Sequence, residues 1–432
     1  MRTPPQTAPG STDAEVPQRW WSKLGPGLIT GAADDDPSGI ATYSQAGAQL
    51  GYGVGGTLLF TYPLMVGIQL ASARIGRVTG RNLVEAFIRF CPRWLVAVLV
   101  LLLLIANVIN LGADLNAMGD AAAMVLHGHA AWYAIGFGVL SLLLQVFLPY
   151  DRYVRVLKWL TLSLFAYVGV VFAVDVDWPA ALRGLLLPSF AWNKENVTTV
   201  VAILGTTISP YLFFWQAAQE VEEIRRVPDD HPLRVAPEQA RRQLRRLRVD
   251  TAVGMGFSNL IAFFMITATA ATLHAKGHTD IQTTAQAAAA LRPLAGDAAF
   301  LLFALGVIGT GLLALPVLAG SAADAVASYF HVRRGLNLPL AKARSFYGIL
   351  AVAMAIGVVI GISGVNPISA LYWSAVVNAV ISVPVMVAVM IAAGSRKVMG
   401  DMPLSRKWKL LGWLATAAMA AASLALLVVS VA

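Results

Sequence analysis

Residues 31–44 of this 432-residue chain read GAADDDPSGIATYS. Three consecutive carboxylates, Asp34, Asp35 and Asp36, interrupt a small and apolar stretch, with Pro37 and Gly39 directly behind them. A carboxylate beside a proline stands next to backbone carbonyls freed from helix bonding, and both are hard oxygen donors for a cation. Successive residues on a helix point about 100° apart, so the three cannot all face one ion. Asp36, immediately before Pro37, is the expected ion ligand. Its alternative role is to cap a half-helix beginning near Gly39. Asp34 and Asp35 are candidates for lining a vestibule, holding water or accepting a proton, unless each pairs with an arginine elsewhere.

A second stretch, GTTISPY at 205–211, carries a matching break at Pro210. Thr206 and Ser209 flank it and offer hydroxyls and freed carbonyls to an oxygen shell, or else bond back onto their own helix. Asn107, Asn110 and Asp114 recur at i, i+3 and i+7 and share a helix face, with Asn116 beside them. That stripe reads as interhelical hydrogen bonding or as an ion or water path. Gln216 and Glu220, one turn apart, are candidates for an inner vestibule, while Glu222 and Glu223 run into Arg225 and Arg226 as a helix-end salt network. Asn378, six residues before Pro384, is a further interior candidate. His127, His129, His274 and His278 have no ligand-grade grouping with acids. A P-loop, a Ser/His/Asp triad and zinc-protease spacing are all missing, so neither ATP-driven transport by this chain alone nor those hydrolytic chemistries are expected.

The elements that carry these residues are read from composition. The chain is 57% hydrophobic and only 13% charged. Eleven apolar runs, near 25–50, 54–74, 94–117, 130–149, 156–175, 196–224, 250–273, 298–330, 345–363, 367–393 and 408–431, are each long enough to cross roughly 30 Å of hydrocarbon. The expected fold class is therefore an all-α integral membrane protein. A carboxylate at mid-membrane costs about 2.5–3.5 kcal/mol and usually faces a pathway or a partner. Pro37 and Pro210 fall at corresponding places in runs one and six, which is the pointer to an inverted-repeat transporter whose site lies where two broken helices meet.

No cleavable signal peptide is evident, and residues 1–22 are expected to form a disordered cytoplasmic N-terminus ending in an interfacial Trp20–Trp21 pair. The single Cys91 excludes an internal disulfide. All but four of the 32 Lys and Arg (Arg183, Lys194, Lys276 and Arg292) fall in segments on the side of the N-terminus. The positive-inside rule then puts the N-terminus in the cytoplasm and, with eleven spans, the C-terminus outside. The net charge of +9 thus reads as topology and lipid-headgroup contact, not as a nucleic-acid footprint. Arg225–Arg248 holds eight arginines and is expected to be a solvated loop with a short amphipathic helix, and 76–93 a second basic connection.

The stretch GAADDDPSGIATYSQAGAQLGYG resembles the first span of the Nramp (natural resistance-associated macrophage protein) metal transporters, whose hallmark there is Asp-Pro-Gly-Asn. ARIGRVTGRNLVEAF at 73–87 is similar to the stretch after that family's second span, and GTTISPYLFFWQ at 205–216 takes the place of its sixth-span Met-Pro-His motif. The resemblance implies a LeuT-type fold with two five-helix inverted repeats, about 23–175 and 190–393, plus an extra helix at 408–431, all within one transmembrane domain at 23–432. It also implies a secondary transporter of divalent cations working by alternating access, with the metal as substrate and no separate cofactor. Asp36 matches the family's metal-binding Asp, and Thr206 its sixth-span residue that contributes a carbonyl. Ser209 falls where typical members carry the metal-binding Met, Gly39 where they carry Asn, and Tyr211 where they carry His.

A thioether favours softer transition metals, and a hydroxyl in its place does not. With Asn also replaced and two extra acids beside Asp36, the pattern favours a hard, partly hydrated ion and looks closer to the Nramp-related magnesium transporter branch than to Mn²⁺/Fe²⁺ importers. Asp114 lies one residue out of register with the family's span-three acids, and Asn116 stands where a Glu is usual, so proton coupling does not carry over with the resemblance. Protons remain a candidate partner. A divalent ion moving down 100 mV gains about 4.6 kcal/mol without them. The expected setting is a bacterial inner membrane. The competing readings are a transporter of the same fold for an organic solute, such as an amino acid with Na⁺, and a membrane enzyme or metal sensor.

Overall fold

The computed structural model describes residues 26–148, 160–188 and 191–431. The expected disordered N-terminus and the Trp20–Trp21 belt lie outside the described residues. Every regular element among those described is helical: α1 (Pro26–Asp34), α2 (Pro37–Leu50), α3 (Gly55–Thr79), α4 (Leu83–Phe87), α5 (Arg93–Leu126), α6 (Ala130–Phe147), α7 (Phe165–Ala173), α8 (Trp178–Leu186), α9 (Lys194–Thr207), α10 (Pro210–Arg226), α11 (Ala240–Thr272), α12 (Ala299–Tyr329), α13 (Arg344–Gly361), α14 (Pro367–Gly394) and α15 (Arg406–Val431), with short helical turns between them.

Nine helical stretches among the described residues are long and apolar enough to cross a membrane. One of them, Pro37–Thr79, has 43 residues, about 65 Å of helix and twice the hydrocarbon thickness. Gly51, at φ +58°, divides it into α2 and α3. The shorter apolar helix Leu162–Ala173 stands where the fifth run was expected, beside residues that are not described. Each of the eleven runs thus has a helical counterpart, the first and sixth as broken pairs.

Polarity is arranged inside out. Phe60, Trp132, Phe147, Phe172 and Leu424 are exposed, while Asp34, Asp35, Asp36, Asn107, Asn110, Asp114, Gln216 and Glu220 are buried. A water-soluble chain would gain nothing from that pattern, whereas in lipid apolar side chains belong outside and polar groups must find protein partners. At the centre α1 packs on α11, α2 on α11, α9 and α14, and α10 on α3 and α12. Small residues permit the closest approaches. A Cβ on Gly31 would lie 2.2 Å from the Gly254 carbonyl oxygen, and one on Gly205 would lie 1.9 Å from that of Ala375.

Two details depart from the sequence reading. The second half-helix starts at Pro37 and not near Gly39, because proline lacks the N–H that a first helical residue leaves unused and has its φ preset for helix. In the Arg225–Arg248 segment a loop follows the end of α10 at Arg226, and the amphipathic helix is not a separate short one: Arg241–Arg248 form the opening turns of α11. Leu244 and Leu247, three residues apart, give those turns an apolar stripe that packs with Leu70 and Ala73 of α3. The carbon stems of the arginines then carry their charges outward.

Candidate metal site

Two prolines build the site. In an α-helix each carbonyl accepts from the N–H four residues ahead, and proline has no N–H. Pro37 therefore frees the carbonyl of Ala33, and Pro210 frees that of Thr206. The chain leaves helical geometry at Asp35–Asp36 and at Ile208–Ser209. The Ile208 carbonyl accepts from Ser382 Oγ of α14 at 2.9 Å. Ser209 Oγ lies 2.8 Å from the Gly205 carbonyl and 2.9 Å from that of Thr206. Ser209 thus bonds back onto its own helix, the alternative weighed from sequence, and its one hydroxyl proton is spent there while its lone pairs stay open.

Asp36 sits at the break with extended backbone, φ −74° and ψ 173°, and is 1% exposed. Its Oδ1 accepts from the Gly39 amide at 2.9 Å and from Ser38 Oγ at 2.6 Å. Its Oδ2 accepts from the Tyr211 hydroxyl at 3.0 Å, which also lies 3.5 Å from the freed Ala33 carbonyl. The Ser38 amide is a fourth and lesser contact of the carboxylate. The capping role and the ligand role coexist, since Oδ1 caps α2 and Oδ2 faces the first turn of α10. Gly39 brings the two breaks together: a Cβ there would stand 3.4 Å from Thr206 Oγ1. Asp36, Gly39, Thr206 and Ser209 accordingly share one buried locus, closed on one side by the bond between Tyr43 Oη and Thr207 Oγ1 at 3.1 Å.

Around it lie three further buried carboxyls, Asp34, Asp35 and Asp114. Ser258 Oγ of α11 is 2.6 Å from Asp34 Oδ2 and 3.0 Å from Asp35 Oδ1. One hydroxyl carries one proton, so the two carboxyls share it. Asp34 Oδ1 and Asp35 Oδ2 have no hydrogen-bond partner, and neither has either oxygen of Asp114. Asp114 is fully buried on α5 and within Coulombic reach of Asp36. Among the described residues none of the four carboxylates forms an ion pair, so the arginine partners considered for Asp34 and Asp35 are absent from this set. Burying a charge costs several kcal/mol even after relaxation, on the order of what one good partner returns. A cation would supply that partner. No three His, Cys, Asp or Glu side chains converge on one point among the described residues. The donor set at the breaks is instead one carboxylate with carbonyl and hydroxyl oxygens, which are hard ligands.

The other sequence candidates divide. Asn110 Oδ1 accepts from Asn378 Nδ2 at 3.2 Å, leaving Asn110 Nδ2 and Asn378 Oδ1 unpartnered in the interior. Asn107 donates to the Leu318 carbonyl and to Ser321 Oγ, both at 2.8 Å, which is interhelical bonding. Asn116 donates to the Val365 carbonyl at 2.8 Å. Gln216 donates to Thr251 Oγ1 at 2.9 Å. Glu220 is fully buried, and Arg246 from the opening turns of α11 donates to its Oε2 at 2.8 Å.

That pair belongs to a latch at the arginine-rich end. Arg77 pairs with Asp230, and Gln243 donates to Asp230 at 2.8 Å. Arg334 bridges Glu85 at 2.7 Å and Asp324 at 3.1 Å, with Asn82 bonded to Asp324 and Ser328. Burial alone would lower the Arg334 pKa, but Asp324 and Glu85 outweigh it and hold it above the ordinary guanidinium value. The cavity beside this latch is only about 30 Å³. At the opposite end a cavity of about 620 Å³ opens between Gln45, Gln49, Glu195, Thr198, Asp280 and Tyr372. Thr199 Oγ1 joins Gln49 Oε1 and Tyr372 Oη, both at 2.8 Å, beside its lining residues.

Four contacts escaped the sequence reading. Ser38 had a local signal, since an aspartate cap is commonly satisfied within the next three residues. Ala33 had one too, four residues before a proline. Ser258, 223 residues from Asp35, and the Tyr211 bond to Asp36 across 175 residues had none.

A family profile described as natural resistance-associated macrophage protein-like matches residues 27–429. The chain belongs to the Nramp family. Among curated relatives, the divalent metal cation transporter MntH of Aeromonas hydrophila is 26% identical over 396 residues, covering 88% of each chain. Among solved structures, a variant of the Eremococcus coleocola manganese transporter superposes with a TM-score of 0.75 at 17% identity, covering 96% of this chain and 87% of that one. MhsT in complex with L-phenylalanine gives 0.57 at 15% identity, covering 96% and 99%. Those likenesses establish the LeuT-type fold, and this Nramp chain is a multi-pass integral membrane protein.

Proposed function

We propose that this Nramp chain moves divalent cations across a membrane by alternating access, with the ion held between the two helix breaks. The observation that carries the proposal is Asp36. It is a buried carboxylate at a break, joined through the Tyr211 hydroxyl to the proline-freed Ala33 carbonyl and to the first turn of the partner half-helix. The ligands are Asp36 Oδ2, the Ala33 and Thr206 carbonyls and Ser209 Oγ, with water in the positions left by Gly39. This hard set takes Mn²⁺ and admits Mg²⁺, since no thioether stands at position 209 to prefer softer ions. The MntH relatives carry the name of divalent metal cation transporters, which supports the substrate class.

The arginine-rich end is cytoplasmic by the positive-inside rule, in a bacterial inner membrane. The conformation is then closed at the cytoplasmic latch and has its larger cavity outside. Inward opening requires the Arg334 and Arg246 pairs to separate. Transport runs on the membrane potential, about 4.6 kcal/mol for a divalent ion at 100 mV, because Tyr211 stands where typical members carry His. The test is Mn²⁺ uptake into proteoliposomes with internal pH recorded under an imposed potential. Potential-dependent uptake without acidification supports the proposal; acidification in step with uptake refutes the uncoupled form. An amino-acid substrate fits poorly, because its carboxylate would meet Asp34, Asp35 and Asp36 at the break.

A further inference from the structure

A carboxylate offers four lone-pair positions, two on each oxygen. At Asp36 both positions of Oδ1 are filled, by Ser38 Oγ at 2.6 Å and the Gly39 amide at 2.9 Å. Oδ2 accepts one bond, from Tyr211 at 3.0 Å. The Ser38 amide is a lesser fourth contact, and Oδ2, with the fewer strong donors, is the oxygen more open to an ion. An ion gripping both oxygens must first expel a donor from Oδ1. The Gly39 bond is the backbone cap of α2 and persists while that helix does. The Ser38 hydroxyl is the side-chain donor on that oxygen, and it is 1% exposed, so water does not compete for it.

We propose that the Ser38 hydroxyl is a selectivity element: by filling Oδ1 it confines Asp36 to single-oxygen coordination and disfavours Ca²⁺ against Mn²⁺ and Mg²⁺. Ca²⁺ takes about 6–8 oxygens at roughly 2.3–2.6 Å and often reaches that number through bidentate carboxylates. Mg²⁺ needs about six at roughly 2.0–2.1 Å, keeps several waters, and is content with one oxygen from a carboxylate. No three acidic, Cys or His side chains converge at these breaks among the described residues, so a second oxygen from Asp36 is the ligand Ca²⁺ lacks. Softness cannot discriminate with a serine at position 209, which leaves coordination number to do so. The inference rests on the assignment of Asp36 as the metal ligand.

The experiment measures Mn²⁺ uptake by full-length protein in proteoliposomes, with Ca²⁺ and Mg²⁺ as competitors. It compares wild type, Ser38→Ala, Ser38→Gly, Ser38→Thr and Asp36→Ala. The quantity read is the Ca²⁺ inhibition constant divided by the Mn²⁺ KM, which a purely structural defect would leave unmoved. Ser38→Ala and Ser38→Gly are expected to lower that ratio about tenfold, equivalent to ~1.4 kcal/mol, with little change in the Mg²⁺ ratio. Ser38→Thr, which keeps a hydroxyl, is expected to behave as wild type. An unchanged Ca²⁺ ratio in both hydroxyl-free variants overturns the proposal, as does a shift in Ser38→Thr equal to theirs. If either variant is too poorly active for uptake, calorimetric Ca²⁺ and Mn²⁺ binding to the purified protein reads the same ratio. Full Mn²⁺ uptake by Asp36→Ala would instead remove the underlying site assignment, whatever Ser38 does.

Discussion

Arg334→Ala is expected to unlatch the arginine-rich end. The guanidinium bridges Glu85 at 2.7 Å and Asp324 at 3.1 Å, and the three side chains are 12%, 27% and 14% exposed. Removing one partner of a fully buried pair costs about 3–5 kcal/mol, whereas exposed pairs are worth about 0–1. Partial exposure places this bridge between the two, at about 2 kcal/mol. In a state open at this end Glu85 and Asp324 meet water and lose little when Arg334 is gone, so the cost falls on the closed state. At 1.4 kcal/mol per tenfold, about 2 kcal/mol moves the closed-to-open ratio roughly 30-fold. The assay is the labelling rate of a cysteine at position 218, beside Glu222 and Arg334 in the small inner cavity, in a Cys91→Ser background with a membrane-impermeant thiol reagent. Labelling should accelerate by an order of magnitude. An unchanged rate in folded protein would refute the latch.

Two further outcomes follow from the geometry at the breaks. Ser209→Met replaces the back-bonding hydroxyl with a thioether and should raise Cd²⁺ uptake relative to Mg²⁺, measured by competition in proteoliposomes; an unchanged ratio would take Ser209 out of the ligand set. Gly205→Val should lower the thermal midpoint in detergent, because its Cβ would fall 1.9 Å from the Ala375 carbonyl oxygen and overpacking costs about 1–3 kcal/mol or more; tryptophan fluorescence on heating checks it.

The breaks were legible because they are local. Pro37 and Pro210 each remove a specific backbone donor, and Asp36 and Ser209 each stand immediately before one of them, so sequence spacing alone placed those two at corresponding points. The apolar runs were legible for the same reason, since crossing lipid needs only length and hydropathy. What spacing could not carry was partner choice across the bundle. The partner of Glu220 was hidden because Arg246 looked like part of a loop. The leucine stripe at Leu244 and Leu247 instead extends α11 and delivers Arg246 to Glu220. Asp34 and Asp35 stood as surplus acids because Ser258, their shared donor, is an unremarkable serine in span seven. Tyr211 was noticed for the residue it replaces, but its bond to Asp36 depends on how α1, α2 and α10 meet.

The most direct test of the account is Asp36→Asn. Asparagine caps a helix as well as aspartate does, so the variant keeps the cap on α2 and loses the charge on Oδ2. Mn²⁺ flux into proteoliposomes should fall to the level of protein-free liposomes while the thermal midpoint stays near that of wild type. Mn²⁺ flux at the wild-type rate in that variant would contradict the assignment of the ion to the paired helix breaks.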